Sequence, residues 1–191
     1  MNIRLQATSS PDWVQAVIED FDAFLLDHAA NEKKASGVAL NLAAHYPDKP
    51  DLVSAMIDLS IEELSHYRDV YKLIRDRNIP PTPDKKDPYV NQIRSLIRKG
   101  HANYFLDRLL TAAVIEARGQ ERFKVLAEQL TDETLKGFYT AIYKSEDRHA
   151  DLFVNLAAQY FDSTVIQTRL TELLVAEAKI LNNLSIRAAL H

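Results

Sequence analysis

Cysteine is absent from the 191 residues. Its absence removes disulfides, zinc-thiolate sites, iron–sulfur clusters and thiol nucleophiles together, and it fits a reducing cytoplasm. Glycine is scarce, with four residues, and none of the seven prolines lies beyond Pro88. About the last hundred residues therefore hold no strong helix breaker. Long apolar runs are missing too: no stretch approaches the roughly 20 residues that span a bilayer, and the opening MNIRLQATSSPDW lacks the apolar centre of a secretion signal. A soluble, cytoplasmic chain with no membrane partner is expected. Nor does one sign of charge dominate. With 23 Lys and Arg against 27 Asp and Glu, the net charge is -4, so a polyanionic partner needs a local basic patch rather than the field of the whole molecule.

What is present is helix. The 47% hydrophobic content and the length suit one domain, 1–191, with a full core. Ser10-Pro11-Asp12 starts a helix with a capping serine and proline at the first position, and apolar residues recur at helical spacing to Tyr46. This segment, about 12–46, reads either as one long helix or as a short one followed by a long one. YPDKPD stops it, and a second core helix covers about 52–77. The proline-rich IPPTPDKKDP then prevents regular structure, and a short basic helix follows at about 89–99. Asn103 is expected to cap a third core helix, about 103–130. Thr131-Asp132-Glu133 opens a fourth, about 132–161, and Ser163 caps a peripheral amphipathic helix over about 164–184. No strand pattern competes.

Stepping alternately by three and four residues isolates one stripe per core helix. The first holds Phe21, Leu25, His28, Glu32, Ala35, Ala39, Leu42 and Tyr46, and the second Leu52, Met56, Leu59, Glu63, His66, Val70 and Leu73. The third holds Leu106, Leu109, Ala113, Glu116, Gln120, Phe123, Ala127 and Leu130. The fourth holds Leu135, Tyr139, Ile142, Glu146, His149, Phe153, Leu156 and Tyr160. Each apolar stripe thus carries acid at mid-length. Ionised carboxylates cannot stay alone in such places and need a shared counter-charge, which two divalent metal ions supply against four Glu, the neutral imidazoles adding nitrogen ligands.

Spacing supports the same set independently. Glu32 to Glu116 spans 84 residues, while Glu63 to Glu146 and His66 to His149 each span 83, the mark of an internal repeat. A Glu from each of two helices and a Glu-x-x-His from each of two others is the ligand pattern of ferritin-like di-iron and di-manganese proteins. The expected fold class is therefore all-α, a ferritin-like four-helix bundle with additional peripheral helices. Glu62 lacks a histidine three residues on and faces solvent or a neighbouring cation. Glu121 stands 25 residues before Glu146, against 30 for Glu116 and 31 for the matching interval in the first half, so Glu121 reads as an ion-pair partner of Arg118 or Arg122. His28, one turn before Glu32, is either a partner of that ligand or a satisfied core histidine.

With only oxygen and imidazole donors the metal is iron or, less favoured, manganese, and an iron pair activates O2. The surrounding strings carry more. LLDHAANEKKA at 25–35, EELSHYRDVYKLIRDRNIPPTP at 62–83, IEARGQERFKVLA at 115–127 and FYTAIYKSEDRHADLFVNLA at 138–157 resemble the bacterial tRNA-2-methylthio-N6-isopentenyladenosine hydroxylases. The resemblance implies a non-haem di-iron monooxygenase that uses O2 and two electrons to hydroxylate the prenyl side chain of a modified adenosine next to the tRNA anticodon. It implies an external electron-donor protein as well, since no flavin or nicotinamide motif occurs. For tRNA phosphates the candidate cations are Lys85, Lys86, Arg94, Arg98 and Lys99, with Arg75 and Arg77 nearby and with Tyr89, His101 and Tyr104 as candidate stacking rings. The competing readings are a demethoxyubiquinone-type di-iron hydroxylase and a ferritin-like iron-storage or peroxide-detoxifying protein.

Overall fold

A computed structural model describes residues 3–191. Among the described residues it has eight α-helices and no strand: α1 (Pro11–Glu19), α2 (Phe21–His45), α3 (Pro50–Asp76), α4 (Pro88–Ser95), α5 (His101–Gln129), α6 (Glu133–Glu146), α7 (His149–Ala158) and α8 (Ser163–Asn183). No described helix is long and apolar enough to cross a membrane. The chain forms two compact units, one holding Gln15–Lys85 with Arg187–Leu190, the other Lys86–Ile186 with the stretch up to Val14 and with His191.

In the first unit α2 packs along α3. The first core segment is the short-then-long alternative: α1 ends at Glu19, and Asp20 caps α2 by accepting a bond from the Ala23 N–H. Ser36 Oγ lies 2.8 Å from Ser60 Oγ, and Arg77 Nη2 lies 2.8 Å from Asp22. Partners thus move down α2 as they move up α3, so the pair is antiparallel. Asn78, at φ 56, closes α3 in the left-handed conformation that Asn tolerates, with the Ile79 N–H on the Ile74 carbonyl. The inward stripe of α3 is buried from Leu52 through Val70, with Glu63 and His66 inside it.

In the second unit α5 is the hub, packed by α4, α6, α7 and α8. Three sequence expectations change here. Asn103 does not cap α5: Gly100, at φ 98, precedes the helix, and a left-handed backbone there suits only glycine well. Ser163 is the first residue of α8 rather than its cap, which is Asp162. The expected fourth helix, 132–161, is broken at Asp147–Arg148, so α6 ends on Glu146 and α7 starts on His149. Gln120 Nε2 donates to Asp147 Oδ1 at 2.7 Å, drawing the broken turn toward α5. Asp132 does cap α6, accepting from the Thr134 and Leu135 N–H groups.

Two ion-pair networks fasten the peripheral helices to α5. Asp107, fully buried, accepts from Arg98 and from Arg169 of α8, each at 2.8 Å. Burial opposes its ionisation, but the two guanidiniums outweigh burial and hold its carboxyl below the ordinary range. The sign follows: stability supplied by ionised Asp107 is present above about pH 4 and is lost as pH falls through its depressed folded-state value. Asp107→Asn is therefore expected to flatten the acid limb of a Tm-against-pH curve, and an unchanged limb would assign acid lability elsewhere. Arg118 of α5 pairs with Glu177 of α8 at 2.8 Å, both fully buried, and Tyr89 of α4 donates to the same carboxylate. His191 stacks on Tyr89 with centroids 4.9 Å apart.

Candidate metal centre

The six ligands expected from sequence fall into two triplets, one in each unit. In the first unit Glu32 projects from the middle of α2, and Glu63 and His66 from consecutive turns of α3, because i and i+3 share a helix face. The three offer ligand atoms all within 4.8 Å of one another, and all are buried. His66 Nδ1 lies 3.6 Å from Glu32 Oε2 and 3.9 Å from Glu63 Oε2. The other Glu32 oxygen lies 2.7 Å from His28 Nε2, and the His28 ring packs on Phe24 at 5.9 Å. His28 is thus the partner of Glu32 and fixes which oxygen turns toward His66.

In the second unit Glu116 comes from α5, Glu146 is the last residue of α6 and His149 the first of α7. Their ligand atoms again lie within 4.8 Å of one another. His149 Nδ1 is 2.6 Å from Glu146 Oε2 and 3.9 Å from Glu116 Oε2. The Glu116 side chain is 17% exposed, against 4% for Glu146, so this triplet opens toward solvent on its α5 side. The two triplets share chemistry but not backbone: Glu63 and His66 stand on one unbroken helix, Glu146 and His149 on either side of the Asp147–Arg148 break.

Each triplet fits a hard divalent cation. Two carboxylates and one imidazole, buried and within reach of a single point, cancel one M(II) charge and offer oxygen and nitrogen donors suited to iron or manganese. Together the triplets carry the donor set of a di-iron carboxylate site. Glu121, the rival for α5, is occupied elsewhere: it accepts from Arg118 at 2.9 Å and from the Ser9 hydroxyl at 2.7 Å.

The basic residues divide. Lys85, Lys86, Arg94 and Lys99 are exposed, as phosphate contacts require. Arg98 is exposed as well, but its backbone N–H and guanidinium both bind the buried Asp107. Tyr89, expected to stack on bases, is fully buried under His191 and bonded to Glu177, whereas His101 and Tyr104 remain exposed. Sequence reasoning overlooked the Arg118–Glu177 and Asp107–Arg98–Arg169 clusters. One signal existed: Glu177 continues the buried stripe Ile166, Leu170, Leu173, Leu174 of α8, a carboxylate where an apolar residue belongs.

The family model for tRNA-(MS[2]IO[6]A)-hydroxylase (MiaE) matches residues 1–191. The chain is 35% identical over 175 residues to a Pseudomonas putida tRNA 2-(methylsulfanyl)-N(6)-isopentenyladenosine(37) hydroxylase, covering 91% of this chain and 85% of that protein. A Salmonella typhimurium protein of the same name is 36% identical over 108 residues, 56% of this chain and 40% of its own length. A solved structure, a Synechococcus protein described as having aldehyde deformylating oxygenase activity, superposes with a TM-score of 0.92 at 36% identity, covering 97% of this chain and 93% of that one. The all-α, ferritin-like fold expected from the stripes is the fold observed. Matched along its whole length by the family model and over most of it by a curated relative, the chain belongs to the tRNA-(MS[2]IO[6]A)-hydroxylase (MiaE) family.

Proposed function

We propose that the chain is a non-haem di-iron monooxygenase that hydroxylates the isopentenyl side chain of 2-methylthio-N6-isopentenyladenosine in tRNA, with Glu32, Glu63, His66, Glu116, Glu146 and His149 as the iron ligands. The observation that carries this reading is the recurrence of one Glu and one Glu-x-x-His within 4.8 Å in each unit, in a chain of this family. On this reading residues 1–191 are a single ferritin-like domain. Membership in the family favours it over a demethoxyubiquinone-type hydroxylase and over iron storage.

Iron held by Glu32, Glu63, His66, Glu116, Glu146 and His149 would supply O2 activation, with electrons from an external donor protein. The rest is the work of the chain. Four carboxylates offset the charge of two divalent ions, so the centre is near neutral and tolerates burial. His28 holds Glu32 through one oxygen and leaves the other for metal. Phe24 and Leu25, both fully buried beside His28, keep water from that side. The prenyl methyl approaches past Glu116, the most exposed of the ligand carboxylates. Lys85, Lys86, Arg94 and Lys99 meet the phosphates, and the process belongs in the cytoplasm, where tRNA is.

The deciding test is nucleoside analysis of tRNA from cells that lack this chain. The hydroxylated prenyl adenosine is expected to vanish and to return with the wild-type gene but not with Glu116→Ala. Its persistence with no second hydroxylase present would refute the substrate assignment. Iron per chain is expected to fall in Glu116→Ala and to stay unchanged in Glu121→Ala; the reverse result would move the α5 ligand. For tRNA itself, the Arg94→Glu, Lys99→Glu double variant is expected to bind more weakly at low salt, with the slope of log K against log salt reduced by about 1 to 2. Iron content should not move, and unchanged binding would clear this surface of the role.

A second reading, aldehyde deformylation, is favoured by the Synechococcus neighbour. Release of formate from an added aldehyde, by protein that leaves tRNA unmodified, would put it first.

A further inference from the structure

We infer that the outer face of α3 docks a small acidic redox-carrier protein, which delivers the two electrons the hydroxylation consumes; the inference rests on the O2-dependent reading above. The balance requires such a partner. One methyl C–H bond breaks and one C–O bond forms, the second oxygen atom of O2 leaves as water with two protons, and two electrons enter from carriers that are oxidised in turn.

The face is distinct from the inward stripe. Ile57, Ile61, Leu64, Arg68, Tyr71 and Arg75 recur at alternating steps of four and three, so they form one line along α3, turned away from Glu63 and His66. The apolar members stand in water: Ile57 is 45% exposed, Ile61 61%, Leu64 53% and Tyr71 41%. Leu40 of α2, one turn beyond the Ser36 that meets Ser60, is 52% exposed and level with the start of this line. A patch of this kind, on the order of 400 Å², is as large as the largest patches on monomeric proteins, which are often functional. It falls short of the roughly 800 Å² per partner of a stable dimer and suits the smaller interfaces of transient electron-transfer encounters.

Charge selects the partner's sign. Asp69 is shared by Arg68 at 3.3 Å and Lys72 at 2.7 Å, and with exposed Arg75 and Asp76 the C-terminal half of the line holds three cations against two carboxylates, a net charge of +1. Asp58 and Glu62 lie on the adjoining face of the helix, outside the line. An apolar centre beside a basic rim complements an acidic carrier. RNA fits it less well, because three of the four apolar members, Ile57, Ile61 and Leu64, offer no ring on which bases stack and only Tyr71 does. Position gives the face its purpose: Leu64 is bonded to Glu63 and Ser65 to His66, so only the width of one helix, about 10–12 Å with side chains, separates the docked carrier from the proposed ligands. That is a short path for electron tunnelling.

The test compares wild type with an Ile57→Glu, Ile61→Glu variant and an Arg68→Glu, Lys72→Glu variant. Each is driven by plant-type ferredoxin or by flavodoxin, kept reduced by NADPH and its reductase, and in parallel is reduced with dithionite for one turnover on prenylated tRNA. Both variants are expected to raise the carrier KM by about tenfold or more, with iron per chain, tRNA affinity and dithionite-driven product unchanged. Unchanged carrier KM in both variants overturns the inference. So does a wild type that works with dithionite but with neither carrier. Loss of tRNA affinity in place of carrier affinity would make the face an RNA surface, and a wild-type dimer split by Ile57→Glu, Ile61→Glu would assign it to a second copy. No product in the dithionite arm would sink the hydroxylase reading itself, and this inference with it.

Discussion

Glu63→Ala is expected to strip the protein of iron at one or both positions and to lower hydroxylation by at least about 100-fold, more than the 10–100-fold typical of residues that only support a ligand. Glu63 is 1% exposed on the unbroken stretch of α3, which holds its carboxylate within 4.8 Å of ligand atoms of Glu32 and His66. Glu62, its half-buried neighbour, points from a different face, and Glu62→Ala should keep its iron. The thermal behaviour separates lost binding from lost folding. Without metal, Glu32 and Glu63 hold two carboxylates within 4.8 Å of one another and His66. Added Fe(II) or Mn(II) should therefore raise the Tm of wild type and leave that of Glu63→Ala unmoved, while both metal-free proteins still melt cooperatively. A variant that retains full iron and activity would remove Glu63 from the centre.

Glu177→Ala is expected to be the most destabilising substitution away from the metal ligands. Arg118 and Glu177 are both fully buried, and the alanine leaves a guanidinium without its closest counter-charge and a tyrosine hydroxyl without its acceptor. Breaking one side of such a pair costs about 3–5 kcal/mol, which for a chain of this length lowers Tm by on the order of 10 °C. Glu121 and the Ala7 carbonyl still hold Arg118, which sets the loss toward the lower end. Tyr89 reports the same environment: burial, then the Glu177 charge, hold its hydroxyl pKa well above the ordinary tyrosine value. Glu177→Gln keeps the shape and an acceptor and should lose less. Iron content should stay normal in both. A Tm within about 1 °C of wild type for Glu177→Ala would mean the pair contributes only what surface pairs do.

The proposed ligands were legible because each belongs to a local pattern. Glu63 and His66, and again Glu146 and His149, sit one turn apart on stripes whose other members are apolar, and a 3.6-residue period needs no tertiary information to be seen. Glu121 was separable from Glu116 by interval alone, and its bonds to Arg118 and Ser9 give the reason it is not free for metal. One turn of spacing permits a bond between His28 and Glu32 without requiring it, and the structure holds the two at 2.7 Å. The ion pair of Arg98 is the opposite case: a basic residue in a basic stretch does not announce a buried carboxylate partner on another helix.

By itself the sequence determined the all-α class, the helix-borne triplets and the absence of thiol chemistry, since composition and periodicity act within a few turns of one helix. Only the tertiary structure decided what depends on partners far apart in the chain. Arg169 reaches Asp107 across 62 positions and Arg118 reaches Glu177 across 59, so buried charges at Asp107 and Glu177 became structural rather than functional. The same holds for the break at Asp147–Arg148, which the helical pattern runs straight through and which α5 engages through Gln120. It holds also for the outer line of α3, since which of two apolar stripes is buried depends on what packs against the helix.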